Sequence, residues 1–131
     1  NLHKERRKYG EEVQEKIEYD DGKVEEVFSD GCQILTFHNG TKKDISADEW
    51  MTTISFSNGD VKEIMPDQRI YYYADAQTIH TAYPDGLEVL QFPNIQIEKH
   101  YPNGTQETVF PDHTVKCLYS DGLKETFFPD G

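Results

Sequence analysis

The side chains from which this 131-residue chain could build a reactive site are 25 Asp and Glu, 13 Lys and Arg, five His and two Cys. Their spacing argues against chemistry. His38, His80, His100 and His113 fall at no metal-ligand interval, and Cys32 and Cys117 lie far apart without a C-x-x-C pair. Neither a zinc site nor a disulfide framework is indicated. There is no Ser or Cys nucleophile motif and no phosphate-cradling Gly loop. Calcium-binding β-rolls need several Gly and Asp per repeat converging on each ion, whereas each repeat here brings one Gly and one Asp or Asn. Two carboxylates could serve glycoside hydrolysis only in a pocket, and the flat sheet read below offers none. The expectation is no metal, no cofactor and no enzyme. A net charge of -12 repels phosphates and anionic lipid heads, so nucleic acid and membrane partners are not expected, and partners rich in Lys or Arg are favoured.

The residues that remain as candidates are aromatic, and their spacing defines the elements that carry them. An aromatic, then Pro or Ser, then Asp or Asn, then Gly recurs at Tyr83-Pro84-Asp85-Gly86, Tyr101-Pro102-Asn103-Gly104, Tyr119-Ser120-Asp121-Gly122 and Phe128-Pro129-Asp130-Gly131. Phe92-Pro93-Asn94-Ile95 and Phe110-Pro111-Asp112-His113 fill the gaps, giving a period of nine. Upstream copies begin at Tyr19, Phe28, Phe37, Phe56 and Met65, with one extra residue between Phe37 and Phe56, near Ser46 to Trp50. Pro presets φ, Asp or Asn tolerates the next position and Gly takes positive φ, which describes a type I turn closed by a glycine bulge. Three turn residues leave about six per strand, the usual strand length. The composition agrees: 42 residues are Val, Ile, Thr, Phe, Tyr or Trp, against 10 Ala or Leu. The expected fold is all-β: a single free-standing antiparallel meander of about twelve nine-residue repeats.

Side chains alternate along a strand, so an odd period sends successive turn aromatics to opposite faces. Applied from Phe56 onward, this rule puts Phe56, Tyr72, Phe92 and Glu98 on one face and Tyr71 and Tyr73 on the other. Charges fall on both faces, as in a sheet solvated on both sides and held by cross-strand pairs rather than a dry core. Residues 1–18 are dense in charge and are expected to form a leader or strap ahead of a repeat domain over 19–131. The chain stops on a turn, so that domain is expected to continue.

The run Asn39-Gly40-Thr41-Lys42-Lys43, Ser46-Ala47-Asp48, Phe56-Ser57-Asn58-Gly59-Asp60-Val61-Lys62, Met65-Pro66-Asp67-Gln68-Arg69, Tyr71-Tyr72-Tyr73 and Gln96-Ile97-Glu98-Lys99-His100 resembles the G-box, or T-complex-protein C-terminal, domain of the CPAP family of centriole scaffold proteins. The resemblance implies a free-standing sheet, within a larger coiled-coil parent, that binds a proline-rich basic segment of the centriole assembly protein STIL. It implies a place at the centriole and centrosome, in the cytoplasm and cytoskeleton. The pattern departs from the tetrapeptide at Glu49, Gln68, Ile95 and His113, where Gly is replaced. Polyproline II segments dock on aromatic surfaces because they are already ordered. The candidate peptide-binding residues are therefore Phe56, Tyr72 and Phe92 for prolines and Glu98 for an Arg or Lys, with Tyr71 as the candidate from the opposite face. A second expectation is edge-to-edge self-association through unpaired terminal strands, a structural module assembling into fibrils.

Overall fold

The computed structural model describes residues 12–130, which contain thirteen strands and no helix. They fall into two compact units, divided after Pro66. In the first, β1 (Val13–Glu18), β2 (Val24–Phe28), β3 (Gln33–Thr36), β4 (Lys42–Ile45), β5 (Thr52–Ser55) and β6 (Val61–Met65) pair antiparallel with their chain neighbours. In the second, β7 (Gln68–Tyr73), β8 (Thr78–Ala82), β9 (Glu88–Gln91), β10 (Ile97–His100), β11 (Gln106–Val109), β12 (Val115–Leu118) and β13 (Lys124–Phe127) do the same. The fold is an open antiparallel meander.

The turn chemistry read from the tetrapeptide is what closes the hairpins. Tyr83 N–H donates to the Leu87 carbonyl at 2.9 Å and Gly86 N–H to the Tyr83 carbonyl at 3.0 Å. Asp85 Oδ1 accepts the Leu87 N–H at 3.0 Å, which occupies the turn carboxylate. The set repeats at Tyr101, where Asn103 Oδ1 takes the Thr105 N–H at 2.9 Å. Where Gly is missing, the backbone still bends the same way: Glu49, Ile95 and His113 hold φ of 60°, 74° and 73°. Gln68, by contrast, begins a strand. The extra residue expected near Ser46 is accommodated as a longer link, with Ile45 opposite Thr52 and Ser46 N–H donating to the Met51 carbonyl at 3.0 Å.

Burial is sparse. Among the described residues, only Cys32 and Cys117 are buried apolar side chains, and the buried polar ones are Thr53, Glu63, Thr78, Thr81 and Thr114. There is no dry layer, so stability comes from ladder hydrogen bonds and many small cross-strand pairs. Both faces are wet, as expected.

Two expectations are corrected. The strands begin earlier than Tyr19: Val13–Glu18 is β1, paired with β2 through a bulge between Val13 and Glu15. Every side chain of β1 is exposed, so the strand has no hydrophobic alternation to announce it, and its pairing rests on backbone bonds. Residues 1–11 of the expected leader lie outside the described residues. The second correction concerns the faces. The link 74–77 is closed by Tyr73 opposite Thr78, with Gln77 at φ 50°. A regular link would have paired residue 74 with residue 78. The register is therefore one residue from the periodic one, and a one-residue slip exchanges the faces of a strand.

Candidate functional site

Directly paired residues share a face, so the registers of the second unit fix which side chains stand together. Tyr71 pairs with His80, His80 with Leu90 and Leu90 with Glu98. The line continues through Thr108 and Lys116 to Thr126. Phe92, two residues beyond Leu90, belongs to this face by alternation. We call it the phenylalanine face. Tyr72 pairs instead with Ile79, and that line runs through Gln91, Ile97, Val109 and Val115 to Phe127 on the opposite face.

The expected grouping is thus rearranged: Tyr71, Phe92 and Glu98 come together, and Tyr72 is opposite to them. Phe56 belongs to the first unit. There its N–H donates to the Asp60 carbonyl at 2.9 Å and its carbonyl accepts the Gly59 N–H at 3.0 Å, which holds the ring at a turn.

The phenylalanine face is built for contact rather than catalysis. Tyr71 and Tyr73 rings lie 4.4 Å apart between centroids at 38°. A depression of about 550 Å³ runs beside them, lined by Tyr73, Thr78, His80, Leu90, Phe92 and His100. Glu88 also lines it, and Glu98 stands next to His100 on the same face; both carboxylates are anchored. His80 Nε2–H donates to Glu88 Oε1 at 2.9 Å, and His100 Nε2–H to Glu98 Oε1 at 3.0 Å. Gln106 Nε2–H adds a longer bond, 3.4 Å, to the same Glu98 oxygen. Sequence reasoning found Glu98 and missed its two supports, although His100 at the second position along the strand and Gln106 across the next turn are where parity would place them. Among the described residues no group of His, Cys, Asp and Glu is arranged to hold a metal ion.

On the opposite face of the second unit the turn tyrosines Tyr101 and Tyr119 donate their hydroxyls to Glu107 and Glu125 at 3.0 and 2.6 Å. Within the first unit Tyr19 donates likewise to Glu25 at 2.8 Å. The signal was legible: a Glu six residues after the turn Tyr. Donation to Glu125, with some desolvation, holds the Tyr119 phenol well above its usual range; for Tyr101, burial leads and the bond to Glu107 adds to it. A group whose pKa is higher folded than unfolded contributes its stability fully below the unfolded value, about 10, and loses it as pH rises through the folded value. The thermal midpoint should therefore fall as pH is raised above about 10. Tyr101→Phe/Tyr119→Phe should flatten that fall in circular-dichroism melts. Parallel curves for the double variant and the parent would show that the pairs do not cause it.

Comparison with known proteins places this architecture. The family described as T-complex protein 10 C-terminus matches residues 11–45, 84–116 and 102–131. The centrosomal P4.1-associated protein of Homo sapiens is 58% identical over 91 residues, 69% of this chain, and the chain spans 7% of that protein's length. The TCP10 domain of Danio rerio CPAP, solved in complex with a peptide of Danio rerio STIL, is 54% identical with a TM-score of 0.75, covering 84% of this chain and 61% of that one. The SAS-4 TCP domain of Drosophila melanogaster, in complex with a proline rich motif of Ana2, is 35% identical with a TM-score of 0.80, covering 91% of this chain and 80% of that one. The repeat that sets the turns and the meander that they produce are those of a known domain, and the chain belongs to the T-complex protein 10 C-terminus family.

Proposed function

We propose that this chain is an interaction domain of a centriole scaffold, acting at the centriole and centrosome, and that it docks a proline-rich basic segment of a STIL-like assembly protein. The observation that carries the reading is the grouping of Tyr71, Phe92 and the anchored Glu98 on one solvated face. Ring faces take prolines without costly ordering, and a carboxylate already held by His100 and Gln106 fixes the direction of a ligand Arg or Lys. The peptide complexes of the Danio rerio and Drosophila melanogaster relatives support the choice of partner. The turn carboxylates of Asp85 and Asp112 are engaged by backbone N–H groups, which favours binding over catalysis.

The test is calorimetric titration with the Danio rerio STIL peptide. Tyr71→Ala and Phe92→Ala should each cost about 1 to 3 kcal/mol of binding, as truncated aromatic anchors do. Glu98→Gln should weaken binding and reduce its salt dependence. Tyr72→Ala serves as the control from the other face, and Phe56→Ala asks separately whether the first unit contributes. Unchanged affinity in Tyr71→Ala and Phe92→Ala, with the circular dichroism of the parent, would remove the site from this face.

A further inference from the structure

On the phenylalanine face of the second unit the charge changes sign along the strand order. β9 and β10 bring Glu88 and Glu98 to it. The residues that β11, β12 and β13 bring are Gln106, Thr108, Lys116, Leu118, Lys124 and Thr126, by direct pairing. By this pairing the three strands bring two lysines and no carboxylate of their own to the face, in a chain of net charge -12. The acids of these strands, Glu107 and Glu125, alternate to the other face and are held there by Tyr101 and Tyr119. Lys116 and Lys124 have no ion-pair partner among the described residues, and Lys116 Nζ lies 5.3 Å from the centre of the Phe110 ring. A concavity of about 350 Å³ lies over these strands, with Lys116, Leu118, Lys124 and Glu125 in its lining, and a second hollow is lined by Phe110, Asp112 and Lys116. The two carboxylates are engaged, Glu125 by the Tyr119 hydroxyl and Asp112 by the Thr114 N–H.

The spacing suits one kind of ligand. Glu98 and Lys116 stand in one line across the sheet, separated by Thr108, hence by two strand spacings or roughly 9.6 Å. A polyproline II helix rises about 3.1 Å per residue with three residues per turn, roughly 9.3 Å. One turn of such a peptide crossing the strands therefore spans the distance from Glu98 to Lys116, and from the ring of Phe92 to that of Phe110.

We propose that the peptide-binding face extends from Glu98 over Phe110 to a basic subsite formed by Lys116 and Lys124, which takes a carboxylate side chain three residues from the ligand's Arg or Lys. This deepens the function proposed above and rests on it. The partner segment is thus bipolar: cation, prolines, then acid, read from β10 towards β13. The order gives the peptide a direction that prolines on rings alone would not.

The probe is a pair of synthetic proline-rich peptides, each with one Arg, differing only in Glu or Gln three residues away, titrated into the full chain. The Glu peptide should bind roughly fivefold tighter, the scale of a partly exposed charge pair. Lys116→Gln/Lys124→Gln should abolish that preference while leaving affinity for the Gln peptide within about twofold. That retained affinity reports an intact fold. Equal binding of the two peptides by the parent overturns the basic subsite. If that equal binding still falls in Tyr71→Ala, the function proposed above stands and only its extension fails. If neither peptide binds, both fail.

Discussion

Gly86→Ala should destabilise the chain more than the chemically identical Gly122→Ala. Both glycines hold φ above 90°, a region that L side chains rarely adopt, so both substitutions meet backbone strain of about 1 to 2 kcal/mol. They differ in what surrounds them. A Cβ on Gly86 would lie 2.9 Å from Pro102 Cγ, whereas one on Gly122 meets nothing within 4 Å. Residue 102 is the second turn position two hairpins later, and the same step brings Ser120 within 3.1 Å of a Cβ on Gly104. Alternate turns stack along one rim of the sheet, and glycine leaves the room for it. The proline ring has no torsion by which to swing aside, so the strand ends must shift, at a further cost of about 1 to 3 kcal/mol. Ile95→Gly is the reciprocal case. Ile95 is 75% exposed and β-branched at φ 74°, so removing it relieves strain and gives up little burial. It should stabilise by about 1 kcal/mol. Urea denaturation of the three variants beside the parent checks all of this. Equal losses at Gly86 and Gly122 would mean that the stacked turns bear no load.

These turns were legible because each is coded within four adjacent residues. Tyr, Pro, Asp and Gly each meet a local backbone requirement, and the repetition of the set fixes strand length without reference to the rest of the chain. Even the irregular link at Ser46 was visible as an added residue. The faces were legible only as far as the repeat stayed in phase. From Ala82 to Phe127 each link pairs residues whose numbers differ by an even amount, so parity alone predicts that Phe92 and Glu98 stand together. At Ala74-Asp75-Ala76-Gln77 the aromatic, the Pro and the Gly are all missing. Nothing there favours the three-residue loop, and a four-residue loop with Gln77 at positive φ closes the hairpin instead. That one loop exchanges Tyr71 for Tyr72. β1 escaped for a different reason: a strand with all six residues exposed has no apolar period, and its partner β2 lies across a turn that was read as the start of the domain.

Restoring the repeat at that link should move the binding residue by one position. In Ala74→Tyr/Asp75→Pro/Ala76→Asp/Gln77→Gly the chain length is unchanged, but the sequence asks for a three-residue loop closed by residues 74 and 78. Each residue of β7 would then face a partner one position later on β8: Tyr72 opposite His80 in place of Ile79, and Tyr71 opposite Thr81 in place of His80. Such a slip is costly where one face is dry and the other wet. Here the neighbouring side chains of β7 are Ile70, Tyr71 and Tyr72, all half-buried, so either face accepts an aromatic. The loop preference decides the register. In the fourfold variant Tyr72→Ala should cost about 1 to 3 kcal/mol of STIL-peptide binding and Tyr71→Ala should have little effect, the reverse of the parent. The register has its own readout, since nuclear Overhauser contacts from Tyr72 should shift from Ile79 to His80. A variant that folds, keeps the Tyr72–Ile79 contact and still depends on Tyr71 would show that the faces of β7 are set by its side-chain pairing and not by the loop that follows it.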